Sequence, residues 1–139
     1  MSSTAVSERS IAASSRSTEP SLYTRLGGDR GIAAIVDDII ALHLANPLIK
    51  MRFASFDAEK LRALNKVTCE FFGAGSGGPE VYSGKDLVTA HKGMNVSEQE
   101  LIAAIDDVVA ALDKNGVGQK EKSEVVAILY SLKAQVVRL

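Results

Sequence analysis

From Ser21 onward, apolar side chains recur at steps of three and four, with no two-residue hairpin turn between alternating runs. That periodicity restricts the chain to packed amphipathic helices. Ile32, Val36, Ile39 and His43 form one such stripe. Asp29, after the pair Gly27-Gly28, is expected to cap this helix. Asn46-Pro47 stops it, because the residue before a proline avoids the α region. A second helical stretch runs from about Ala58 to Phe72, with Leu61, Leu64, Thr68 and Phe72 near one face. The glycine-rich run from Gly73 to Pro79 is expected to end it. Ser97-Glu98-Gln99-Glu100 is a capping box. It opens a helix on which Leu101, Ile105, Val108 and Leu112 align, and Asn115-Gly116 closes it. From Gly118 a last long helix carries Val125, Ile128, Leu129, Leu132 and Val136 on one face. The chain reads as all-α.

Its 139 residues suit one domain with a core that needs no disulfide. Sixteen Lys and Arg against seventeen Asp and Glu give a net charge of −1. Such a balance supplies no basic surface for nucleic acid or an anionic membrane. The one cysteine, Cys69, excludes an intrachain disulfide and any Cys-rich metal cluster. The best apolar region, Ile32 to Ile49, is interrupted by Asp37, Asp38, His43 and Asn46, so no membrane span is expected. The sequence begins without the apolar run of a secretory signal, and a cytoplasmic location is expected. Residues 1–20 contain seven serines, and Glu8, Arg9, Arg16 and Glu19 cancel in charge. That composition reads as a flexible Ser-rich extension ahead of a folded domain at 21–139. The alternative, an organelle transit peptide, is opposed by its two acids.

Most catalytic signatures are missing. There is no phosphate-binding loop, no G-x-S-x-G elbow and no H-E-x-x-H pair. The glycine run at 73–78 follows a helix and not a strand, which makes it a connector and not a dinucleotide loop. Cys69 has no histidine at helical spacing and reads as an inert buried thiol. Asp37-Asp38 and Asp106-Asp107 are sequence neighbours that diverge by about 100° on a helix, so they read as solvated faces. His91 remains, in the short apolar stretch Leu87 to Met94 bounded by Gly84 and Gly93. From chemistry alone it is either a structural histidine or a metal ligand. One neutral imidazole is sufficient to hold a haem iron, because haem brings four nitrogens of its own.

The ordered motifs resemble those of the group I truncated haemoglobins, the short two-over-two globins. Leu22-Tyr23-x-x-Leu26-Gly27-Gly28 resembles the start of the family, with its first glycine motif. Ala45-Asn46-Pro47-Leu48 followed by Phe53 resembles the end of helix B and the phenylalanine that packs on haem. Gly77-Gly78-Pro79-Glu80-x-Tyr82-x-Gly84 resembles the second glycine motif, and Ala90-His91-x-Gly93-Met94 the proximal histidine segment. The resemblance covers about residues 21 to 137. It implies haem b sandwiched between helix pairs B/E and G/H, with His91 as the iron ligand. Phe53, Leu64, Phe72, Lys92 and Met94 would touch the cofactor, Phe53 through its ring and Lys92 through a haem propionate. Ile40, Leu64, Thr68 and His43 would line the distal ligand pocket.

Departures from the family pattern fall in that pocket. Ile40 stands where many relatives carry a tyrosine that hydrogen-bonds the ligand. Leu64 and Thr68 fall on the two distal helix-E positions, and Thr68 is shorter than the amide often found there. The segment between Phe53 and Leu64 is longer than in relatives. An apolar distal side with Thr68 as its near donor implies a faster loss of bound gas. His43 reads either as a core histidine bonded to a backbone carbonyl, or as a distal hydrogen bond or sixth iron ligand. Lys66 is a further candidate for the sixth position, against its reading as a solvated lysine. The resemblance therefore implies reversible binding of dioxygen, with nitric oxide and carbon monoxide as other ligands. One alternative is a nitric oxide dioxygenase, or a redox or sensing globin, served by an external reductase. The other is a helical interaction module without haem.

Overall fold

In the computed structural model, which describes residues 19–139, Ser21 opens the first helix by accepting a hydrogen bond from the Thr24 amide. The expected flexible extension falls mostly on residues 1–18, outside the described residues. Of its last two members, Glu19 pairs with Lys120. Helix α1, Leu22–Arg25, buries Leu22, and Leu26 follows it into the core. Gly27 and Gly28 then turn the chain at φ of +99° and +66°, where a side chain would be strained.

Helix α2, Gly28–Ala45, buries Ile32, Ile35, Val36 and Ile39. The expected cap at Asp29 is corrected: Gly27 is the cap residue, with no side-chain bond. Its left-handed turn starts the helix two positions earlier and leaves Asp29 in the first turn, beside the positive end of the helix dipole. Asn46 takes an extended conformation before Pro47 and stops α2 where expected. A 3-10 helix, Lys50–Phe53, leads on to α3, Ala58–Gly75. Asp57 caps α3 by accepting from the Lys60 amide at 2.8 Å. This helix runs three residues beyond the expected Phe72. Ser76 donates to the Phe72 carbonyl at 2.6 Å, and the Gly78 amide to the Gly73 carbonyl at 2.8 Å, so the wrap comes after Gly75. Gly73 is there for close approach: a Cβ on it would lie 2.5 Å from Glu80.

Asp86 caps the short helix α4, Leu87–His91. Helix α5, Glu98–Lys114, opens with the full capping box of Ser97 and Glu100 and closes at Asn115, with Gly116 at φ +73°. Helix α6, Gln119–Ser131, ends before Leu132 and Val136, and a 3-10 turn, Lys133–Gln135, carries the chain between them. Helix α2 lies across both α3 and α5, and α6 lies against α5. Their shared core joins Ile32, Ile35, Val36 and Ile39 to Val108, Ala111, Leu112 and Val125. Among the described residues the extended pairing is one parallel bridge, Val96 to Val137. The architecture is all-α, as the periodicity requires. No described helix is long and apolar enough to cross a membrane.

Candidate functional site

Between α2, α3, α4 and α5 lies a cavity of about 470 Å³, with walls that are mostly apolar. Helix α2 gives it Ile39, Ile40 and His43, and the 3-10 helix gives Arg52 and Phe53. Helix α3 contributes Leu64, Val67, Thr68, Phe71 and Phe72, all on one face by the 3.6-residue repeat. Helix α4 and its exit supply Leu87, Ala90, His91 and Met94. Leu101, Ala104, Ile105 and Val108 from α5 close one side, with Leu129, Leu132 and Val136 beyond them.

Eight of the residues singled out in the sequence therefore meet on one surface: Ile40, His43, Phe53, Leu64, Thr68, Phe72, His91 and Met94. Lys92 is exposed and is not on that wall. Lys66 is also exposed, and pairs with Glu70 at 2.7 Å.

The chemistry of His91 follows from its own helix. Its Nδ1 lies 2.8 Å from the Leu87 carbonyl, one turn back. A carbonyl only accepts, so Nδ1 carries the proton and Nε2 keeps its lone pair. Thr68 makes a similar local bond: its hydroxyl donates to the Leu64 carbonyl at 2.7 Å.

His43 differs from the expected backbone-bonded histidine. Its Nδ1 lies 2.8 Å from Oδ2 of Asp107 on α5, and its ring stacks on Phe53 at 6.0 Å. The Asn46 amide donates to both oxygens of Asp107, at 3.2 and 3.1 Å. Asp107 is buried, which corrects its reading as part of a solvated face. Asp107 shares the buried face of α5 with Ala103 and Ala111, four residues to either side, a spacing that hints at its burial only once α2 is known to cross there. Asp37 and Asp38 likewise tie helices together, through Asn65 and through Lys114 and Asn115. The two bonds to Asp38, from Asn115 and then Lys114, hold its carboxyl below the usual range.

Arg52 was not singled out in the sequence, and Glu100 was read there as a helix cap and not as part of the site. Arg52 grips both oxygens of Glu100, at 2.7 and 2.8 Å, and donates to the Met94 carbonyl at 2.9 Å. The pair ties the 3-10 helix to the start of α5 and to the turn after His91. Arg52, then the Ser97 amide, pulls the Glu100 carboxyl down to about 2. Cys69 is half-buried, and burial pushes its thiol up, so it stays protonated and a poor nucleophile.

Crossed helix pairs around an apolar slot, with an imidazole oriented by its own helix on the wall, are the architecture of a globin. The chain belongs to the bacterial-like globins, whose family model matches residues 21–138, and within them to the group 1 truncated haemoglobins. It is 30% identical over 108 residues to the group 1 truncated haemoglobin of Tetrahymena pyriformis, covering 78% of this chain and 87% of that one. The GlbN protein of Mycolicibacterium paratuberculosis, a group 1 truncated haemoglobin, is 26% identical over 127 residues, 91% of each chain. The crystal structure of the Tetrahymena pyriformis protein in its Fe(III) form superposes with a TM-score of 0.81 at 27% identity. That match covers 86% of this chain and 100% of the other. The two-over-two fold implied by the sequence motifs is the fold observed.

Proposed function

We propose that this chain holds haem b in the cavity, with Nε2 of His91 as the protein ligand to iron, and binds dioxygen reversibly there. Nitric oxide and carbon monoxide are ligands of the same site. The observation that carries this reading is the His91 Nδ1 bond to Leu87 at 2.8 Å, which fixes the tautomer that a metal ligand requires.

The donor set fits the group. No three His, Cys, Asp or Glu side chains come together among the described residues, so a bare ion has no cage. Haem brings four nitrogens and an iron with a position open to a diatomic gas, and needs one imidazole and an apolar slot. Phe53 and Phe72 offer flat apolar area to a porphyrin, with Met94 filling beside His91. Lys92, exposed next to His91, is the cation for a haem carboxylate. On the opposite wall Ile40 and Leu64 exclude water. Thr68, with its proton committed to the Leu64 carbonyl, presents an acceptor and not a donor. A gas held against that wall is held loosely.

The test is an absorption spectrum of the haem-loaded chain, ferric, then dithionite-reduced, then under carbon monoxide. A Soret band that shifts with carbon monoxide is expected, and His91→Ala is expected to lose haem on gel filtration. A chain that takes up no haem, or a His91→Ala variant that retains it like the wild type, refutes the reading.

A further inference from the structure

We infer that His43, oriented by Asp107, is a proton-dependent hydrogen-bond donor of this pocket and selects ligands that carry negative charge. This inference rests on the haem reading above. Asp107 accepts from the Asn46 amide as well as from His43, so its carboxylate is fixed at the crossing of α2 and α5. An ionised carboxylate only accepts, which places a proton on Nδ1 of His43. The ring lies on the cavity wall, and its Nε2 makes no hydrogen bond among the described residues.

The other polar groups of that wall are engaged elsewhere. Thr68 donates to Leu64, Tyr82 donates to the Lys85 carbonyl at 2.7 Å, and Arg52 grips Glu100. Of the charged groups around the ring, α5 supplies Asp107, in direct contact. Arg52 from the 3-10 helix and Glu100 from α5 neutralise each other, and His91 from α4 is bonded to Leu87. The wall residues of α3 are uncharged.

The consequence follows from valence. With Nδ1 already protonated, neutral His43 offers only a lone pair at Nε2. The next proton binds at Nε2 and makes it a charged donor. An anionic or strongly polarised ligand then gains a charge-assisted hydrogen bond that a neutral apolar wall cannot give.

Fluoride is the probe, titrated into the haem-loaded ferric protein at pH 5.5 and pH 9. At pH 5.5 the wild type is expected to bind fluoride about tenfold more tightly than His43→Leu, the worth of one hydrogen bond to a charged group. At pH 9 the two are expected to converge. His43→Gln, whose amide donates at any pH, is expected to keep tight binding at both. Equal affinities of wild type and His43→Leu at pH 5.5 overturn the inference, and so does a gap that pH leaves unchanged. A low-spin six-coordinate spectrum that His43→Leu abolishes also overturns it, because Nε2 would then be an iron ligand. The haem-free chain gives an independent readout. Long-range 1H–15N spectra at pH 9 are expected to show the Nδ1–H tautomer of His43, and the Nε2–H tautomer sinks the inference whether or not haem binds.

Discussion

At the scale of single residues, the direction of one proton decides what a side chain offers. Thr68 sits on the cavity wall, yet its hydroxyl proton points along its own helix to Leu64. Thr68→Val removes that local bond and keeps the volume. Gas dissociation from the haem-loaded variant, followed by stopped flow, is expected within about twofold of wild type, since less than one neutral hydrogen bond is at stake. A fivefold faster loss would show that the hydroxyl turns to the ligand. The two histidines divide in the same way on legibility. The partner of His91 is four residues away on the same helix, and the segment was marked by the apolar stretch Leu87 to Met94 together with its resemblance to a proximal histidine segment. The partner of His43 is 64 residues away, and their meeting depends on where α2 crosses α5. No local pattern around His43 encodes that crossing; the small stripe Ala103, Asp107 and Ala111 hints at it only once a partner helix is known.

At the scale of elements, close approach governs the corners. A Cβ on Gly31 would lie 2.1 Å from the Leu26 carbonyl oxygen, a backbone atom that cannot swing away. Gly75, also helical, has nothing within 4 Å of such a Cβ and no positive φ. Alanine at an unstrained helical glycine gains roughly 0.5–1 kcal/mol. Gly75→Ala is therefore expected to be neutral or stabilising by up to about 1 kcal/mol in urea unfolding, and Gly31→Ala to destabilise by more than about 2 kcal/mol. Similar values for both would mean that the α1–α2 corner yields freely. The sequence showed these glycines but not their difference, because the clash comes from a turn that folds back on its own helix. The start of α5 carries a charge dependence. The Glu100 carboxyl lies at about 2 in the fold against an ordinary value of 4.5. A lowered folded value means stability that is complete above about 4.5 and is lost as pH falls toward 2. The melting temperature of the haem-free wild type is expected to fall more between pH 6 and pH 3 than that of Glu100→Gln. Parallel curves would show that the Arg52 pair adds nothing to stability.

At the scale of the whole molecule, the histidine segment is held from outside itself. Helix α4 has five residues, too few to persist alone in water. The turn after it passes through Gly93 and Asn95, both at positive φ. It is then tied to the far end of the described chain by two backbone bonds. The Asn95 amide donates to the Leu139 carbonyl at 2.7 Å, and the Arg138 amide to the Val96 carbonyl at 2.8 Å. Val96 is buried beneath this bridge, and Leu132 and Val136 reach the cavity wall from the same return of the chain. The periodic sequence put Leu132 and Val136 on one continuous helix; the break at Ser131 instead sends them under the cavity as a strap. Removing Val137, Arg138 and Leu139 leaves α1, α2, α3 and their core packing untouched and frees the turn that positions His91. Haem transfer from the shortened chain to an excess of a haem-scavenging apoprotein is expected to be about tenfold faster than from the full chain. That corresponds to losing two backbone hydrogen bonds of ordinary net worth. The helical circular dichroism is expected to stay nearly unchanged, since the removed residues are not helical. Unchanged haem transfer would mean that α4 is held by the cofactor and its own packing. A large loss of helix would mean that the strap supports the fold and not the histidine segment alone.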